Sequence, residues 1–148
     1  MQRYPRIKRE IPLNDRVIDL SDEGYDLAVR ISELANSSLI SRRLGTTRMM
    51  LCASPAYLQE HGTPQHPHDL GEHRLLSYNN WSGRDEWQFQ HPSGPVIVRV
   101  RPALLSNNGD TTRILALQGI GISPEPSFLV AADIAAGDLV QVLPAYQA

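Results

Sequence analysis

Residues 104–129, LLSNNGDTTRILALQGIGISPEPSFL, constrain this chain more than any other stretch, because turn-forming and apolar residues alternate there too quickly for one element to run through. Positions 102–105 are apolar and read as extended chain. Asn107, Asn108, Gly109 and Asp110 break that run with residue types that cap helices and bond to local backbone. Ile114, Leu115 and Leu117 place apolar side chains along a helix over 110–118, and Gly119 stands where a left-handed helix stop belongs. Residues 120–122 read as a short buried parallel strand, 123–126 as a proline corner, and the apolar run after them as a second helix. In an open α/β sheet, small ligands bind beyond the carboxyl ends of the strands. That rule puts Asn107, Asn108 and Gly109 beside Ser123, Pro124 and Glu125, at the ends of neighbouring strands.

The rest of the chain continues the alternation. Ile7, Ile11 and Leu13 keep strand spacing, and Pro12 pushes that strand toward an edge. Asn14 and Asp15 are placed to cap a short helix over 17–23 that Gly24 closes. Strands are expected over 27–31, 39–44 and 49–53. Ser54 followed by Pro55 marks the start of a helix that Gly62 ends. Residues 63–71 read as loop with one turn of helix, and 74–78 as a strand. Residues 86–90 and 95–100 flank His91, Pro92, Ser93 and Gly94 as a hairpin. A helix over 129–136 stops at Gly137, and a last strand follows over 139–143. The pattern predicts an α/β fold with a largely parallel sheet and one antiparallel hairpin.

Composition narrows the function. A chain of 148 residues allows one domain or two small lobes, and burial of roughly 70% of its unfolded surface supports a core. The net charge of −2 gives no pull toward nucleic acid or an anionic membrane. No apolar run approaches the ~20 residues of a membrane span. The N-terminus lacks the apolar core of a secretory signal, so a reducing cytoplasm is the expected compartment. Cys52 is the one cysteine; no internal disulfide is possible, and its apolar setting predicts an inert buried thiol. His61, His66, His68 and His73 cluster in a proline-rich loop that suits a solvated surface better than the fixed ligand set of a metal site. Neither a metal nor another cofactor is expected. Ser54 reads as a helix cap, with no nucleophile elbow around it. No paired acid and base point to an enzyme. Trp81 and Trp87 flank a polar loop and are expected to pack rather than stack on a ligand.

Several segments together carry a family likeness. YDLAVRI at 25–31, CASPAYL at 52–58, the Asn107–Asn108–Gly109 corner, GIGI at 119–122 and AGDLV at 136–140 resemble LysR-type transcriptional regulators, in order and spacing across nearly the whole chain. SLI at 38–40 before RRLG at 42–45 is most similar to the CrgA-like and malate-regulator branch. The resemblance implies a periplasmic-binding-protein-like (type 2) two-lobed fold. Residues 1–50 would form a partial lobe one, 51–144 a complete lobe two, and 145–148 the start of a return crossover to lobe one. The winged helix-turn-helix, the linker helix and parts of lobe one would lie outside these residues.

The same resemblance implies a sensor without chemistry of its own. A small-molecule effector, an organic acid or another small polar or aromatic metabolite, would bind between the lobes. Carried over by position, its contacts would be Asn14, Asp15, Arg30, Ile31 and Ser32, and from lobe two Asn107, Asn108, Gly109, Ser123 and Pro124. The expected assembly is a homo-oligomer, a dimer. DNA contact would come only through a helix-turn-helix domain not present here, and no membrane is involved. The alternative is a solute-binding protein of a transport system, against which the missing export signal speaks. Strand edges of lobe one left without partners would recruit another chain.

Physical chemistry adds a tension. Free N–H groups and the positive dipole end of a helix beginning at 109–112 suit a carboxylate. Asparagine amides both donate and accept, although capping alone would account for them. Arg30 could serve a carboxylate effector or a structural ion pair. Asp110 complements the helix dipole and would repel an anion. The Ser123–Pro124–Glu125–Pro126 run departs from the family, which usually has apolar residues before a single proline. Pro124 removes a backbone donor, and Glu125 adds negative charge at an expected cleft-facing corner. A cationic or neutral-polar effector therefore competes with the carboxylate.

Overall fold

The computed structural model describes residues 6–8, 10–13, 20, 24–31, 39–79 and 85–147. The chain forms two compact units, Met1–Ser37 and Ser38–Ala148. In the first unit the described residues form no helix or strand, so the strands expected over 7–13 and 27–31 are corrected. Leu13 is 94% exposed and Val29 72%. Alternating side chains create two faces, but a strand exists only where a second strand completes its ladder, and no described residue does so here. In the second unit, 39–44 likewise forms no strand. The helix expected over 17–23, apart from Leu20, lies outside the described residues, as do Trp81 and the candidate residues Asn14, Asp15 and Ser32.

The second unit is built on β1 (Met49–Ala53). It lies between β6 (Ser123–Pro126) and β7 (Val140–Val142), antiparallel to both. Alternation along β1 divides the core: Leu51 and Ala53 face one apolar cluster, Met50 and Cys52 the other. A strand covered on both faces needs the continuous apolar run MMLCA rather than an alternating one.

On the Leu51 face lie α1 (Pro55–His61), a 3-10 turn (Pro67–Glu72) and the hairpin of β3 (Glu86–Phe89) and β4 (Val96–Arg99). Trp87 and Phe89 are fully buried there, so Trp87 packs in the core as its sequence setting suggests. On the Cys52 face lie α2 (Gly109–Leu117) and α3 (Ser127–Ala136), through Ala116 and Val130. Burial pushes the Cys52 thiol up to about 12, with nearby Glu125 and Asp133 adding to the effect. It is an inert thiol at physiological pH.

The sheet is mixed rather than largely parallel. Its parallel part is β2 (Leu76–Tyr78) against β5 (Leu104–Ser106), joined to the antiparallel part by a parallel bridge between Leu75 and Ile122. The expected strand over 120–122 and the proline corner after it are also corrected. Ile122 makes that single bridge, and Ser123–Pro126 is itself strand β6. The prolines fit because they alternate with Ser123 and Glu125. The Ser127 N–H donates to Arg48 O at 2.8 Å, so by the two-residue period Ser123 and Glu125 face β1 with their N–H groups, and Pro124 and Pro126 do not.

Both helices on the Cys52 face end as their glycines predict. Gly119 has φ +74, the Gly119 N–H donates to Ala116 O and the Ile120 N–H to Leu115 O, the paired bonds of a Schellman stop. Gly137 repeats this after α3, with φ +83.

Candidate functional site

The corner between β5 and α2 is organised by its own side chains. Ser106 Oγ accepts from the Asn108 N–H at 3.0 Å, and Asn108 Oδ1 accepts from the Thr111 N–H at 2.9 Å and from Thr111 Oγ1 at 3.1 Å. Asn108 is thus the N-cap of α2. Capping uses only the amide oxygen; Asn107 and Asn108 both remain exposed.

β6 reaches this corner from below. The register pairs Met50 with Glu125 and Cys52 with Ser123, which puts both polar side chains on the face covered by α2 and α3. Glu125 and Ser123 are fully buried. Ser123 Oγ donates to Glu125 Oε1 at 2.5 Å. Glu125 Oε2 has no hydrogen-bond partner among the described residues. A Cβ built on Gly109 would stand 3.8 Å from that oxygen, so the carboxyl group lies against the first turn of α2. Thr112 is also buried here, and its hydroxyl donates to Gly109 O at 2.9 Å.

Arg113 and Asp133 fix the same region. Arg113 Nε donates to Asp133 Oδ2 and Nη2 to Asp133 Oδ1, each at 2.5 Å, a two-pronged pair joining α2 to α3. The pairing raises the Arg113 pKa. No local sequence signal marks this pair, because its members lie on different helices. The burial of Glu125 had a signal: Ser123 and Glu125 alternate with prolines at strand period.

Burial is the main cause raising the Glu125 pKa. The Ser123 and Thr112 hydroxyls oppose it, Asp110 adds to it and Arg113 opposes it. The folded chain therefore holds this proton more tightly than the unfolded chain. The stabilising contribution is complete below the ordinary glutamate range and is lost as pH rises through the raised value. Urea melts of the chain and Glu125→Gln between about pH 5 and 8 should show it. The stability of the native chain relative to the variant is expected to fall with rising pH; a pH-independent difference would contradict this.

The candidate residues therefore separate. Asn107, Asn108, Gly109, Ser123 and Pro124 belong to the second unit, with Gly109 close to Glu125 and Ser123 bonded to it. Ser123 and Pro124 are buried in β6. Arg30 and Ile31 are exposed and belong to the first unit.

The histidines stand elsewhere, around the Leu51 face. Tyr57 Oη accepts from the Arg74 N–H at 2.9 Å and shares a hydrogen bond with His73 Nδ1 at 3.2 Å. Burial is the main cause lowering the His73 pKa. His61 stacks on Tyr57, and His91 stacks on Tyr146. Asp69 accepts from the N–H groups of Gln65 and His66, which hold its pKa down. Among the described residues no three metal-ligating side chains converge, and no helix is long and apolar enough to cross a membrane.

Comparison with known proteins gives one answer. Residues 1–148 match the LysR substrate binding domain. The HTH-type transcriptional regulator DmlR of Escherichia coli is 37% identical over 147 residues, covering 97% of this chain and 47% of that protein. AphB, a Vibrio cholerae virulence activator, matches in its full-length structure with a TM-score of 0.87 and 30% identity, over 99% of this chain and 50% of that one. The regulatory domain of CrgA from Neisseria meningitidis matches with a TM-score of 0.83 and 32% identity, over 99% of this chain and 74% of that one. The chain spans about half the length of the curated relatives it matches.

Proposed function

Because the chain belongs to the LysR substrate-binding domain family, we propose that it is the effector-sensing region of a bacterial transcription regulator. A small metabolite binds it and controls DNA-dependent transcription through a helix-turn-helix domain outside these residues. The fold is the type 2 periplasmic-binding-protein-like fold of LysR-type regulatory domains, and the related proteins are regulators rather than enzymes. Ligand binding need only favour one conformation over another to act. The regulator works in the cytoplasm as a homodimer. The exposed apolar side chains of the first unit, Ile11, Leu13 and Leu27 among them, support association, and sedimentation at high concentration should find no stable monomer.

One observation supports the placement of the effector: the start of α2, with exposed Asn107 and Asn108, meets the buried Ser123–Glu125 pair of β6. Asn14, Asp15, Arg30, Ile31 and Ser32 join the proposal through the family resemblance alone. A thermal-shift screen of small organic acids, aromatics and amines tests it. A ligand at 100 times its Kd adds about 2.7 kcal/mol to stability. Asn108→Ala should cost about 1 kcal/mol through the lost cap and also weaken the response to the ligand found. A screen with no saturable shift, or a ligand indifferent to Asn108, would count against this site.

A further inference from the structure

We propose that the effector group received at the start of α2 is a protonated amine, held by the carboxylate of Glu125; this rests on the effector-sensing reading and names the ligand class.

Charge decides the class. A helix beginning ordinarily attracts anions, but here the chain supplies its own carboxyl group to that end. Glu125 lies against the first turn from beneath, and Asp110 stands within that turn. Arg113, the neighbouring cation, is committed to Asp133 by both prongs of its guanidinium. An incoming carboxylate would therefore meet two acidic side chains and a cation already paired. An ammonium group meets the opposite.

Hydrogen bonding points the same way. Ser123 uses its proton on Oε1, and the Thr112 hydroxyl, near enough to Glu125 to oppose its raised pKa, donates to the Gly109 carbonyl; Oε2 itself has no hydrogen-bond partner among the described residues. A buried oxygen left without a donor is costly, and a ligand N–H group would restore the bond. The corner nearest that oxygen carries no side chain. A methyl group on Gly109 would sit 3.8 Å from Oε2 and 3.4 Å from Leu129 Cδ2, ordinary contact distances. That carbon would fit the fold and stand over the carboxylate.

Calorimetric titration of the 148-residue chain with putrescine and with succinate, a diamine and a dicarboxylate of equal carbon count, tests the class. Putrescine is expected to bind at least tenfold more tightly. Glu125→Gln should weaken it at least tenfold, and Gly109→Ala should do the same without lowering Tm. Circular dichroism confirms that both variants fold. Succinate binding more tightly, or putrescine binding unchanged in both variants, would overturn the amine inference and leave the effector-sensing reading intact. Binding of neither probe overturns the inference as well; if the wider screen also finds no ligand, the reading falls with it.

Discussion

Gly121→Ala is expected to cost about 4 kcal/mol, in the range that single substitutions rarely reach, and to lower Tm by roughly 10 °C or more. Gly121 is buried where the two parts of the sheet meet. A Cβ there would overlap the Arg74 carbonyl oxygen, with the carbonyl carbon at 3.1 Å and Leu76 Cγ at 3.4 Å. That carbonyl accepts the Ile122 N–H at 2.9 Å, and the Ile122 carbonyl accepts the Leu76 N–H at 2.8 Å. Backbone faces backbone, so no flexible side chain can yield. Relief requires breaking the bridge that joins β2 and β5 to the strands around β1. Gly45→Ala is the control, since nothing lies within 4 Å of its added carbon. It should change stability by no more than about 0.5 kcal/mol. Denaturant melts decide: a Gly121→Ala variant as stable as the control would mean the strand contact is wrongly placed.

Arg113→Ala should produce the second large loss, about 2 kcal/mol. Breaking a fully buried ion pair costs roughly 3–5 kcal/mol, and an exposed one about 0–1 kcal/mol. The Arg113 side chain is 27% exposed and that of Asp133 10%, between those limits. Removing the guanidinium leaves Asp133 without its ion-pair partner, in an environment that already holds Glu125 and Cys52. The double replacement Arg113→Leu with Asp133→Leu removes both charges and should be milder than Arg113→Ala alone, which a double-mutant cycle measures. If Arg113→Ala costs under about 0.5 kcal/mol, the two helices are not clamped by this pair.

Much of the second unit was legible from short sequence signals. Ser54 with Pro55, Asn108, Gly119 and Gly137 act within a few residues of themselves, so their chemistry sets helix ends wherever the chain goes. The hairpin around His91 to Gly94 is local in the same sense. The helix start that frames the candidate site could be read for this reason, as could the neighbouring asparagines. The sequence shows Glu125 as a negative charge near that start, but at a cleft-facing corner rather than inside a strand. Its place in a buried strand depends on pairing with β1, more than seventy residues away in sequence.

The sequence by itself determined the family, the α/β class, the helix ends and the apolar run that becomes β1, because each depends on residue type and near neighbours. Only the tertiary structure decided strand direction, the absence of strands among the described residues of the first unit, the Arg113–Asp133 clamp, and the seating of Glu125 against the start of α2. Those features depend on which distant segment supplies the second half of a hydrogen bond or an ion pair. A pattern of side chains along one segment says which face is apolar; it does not say what will be laid against it.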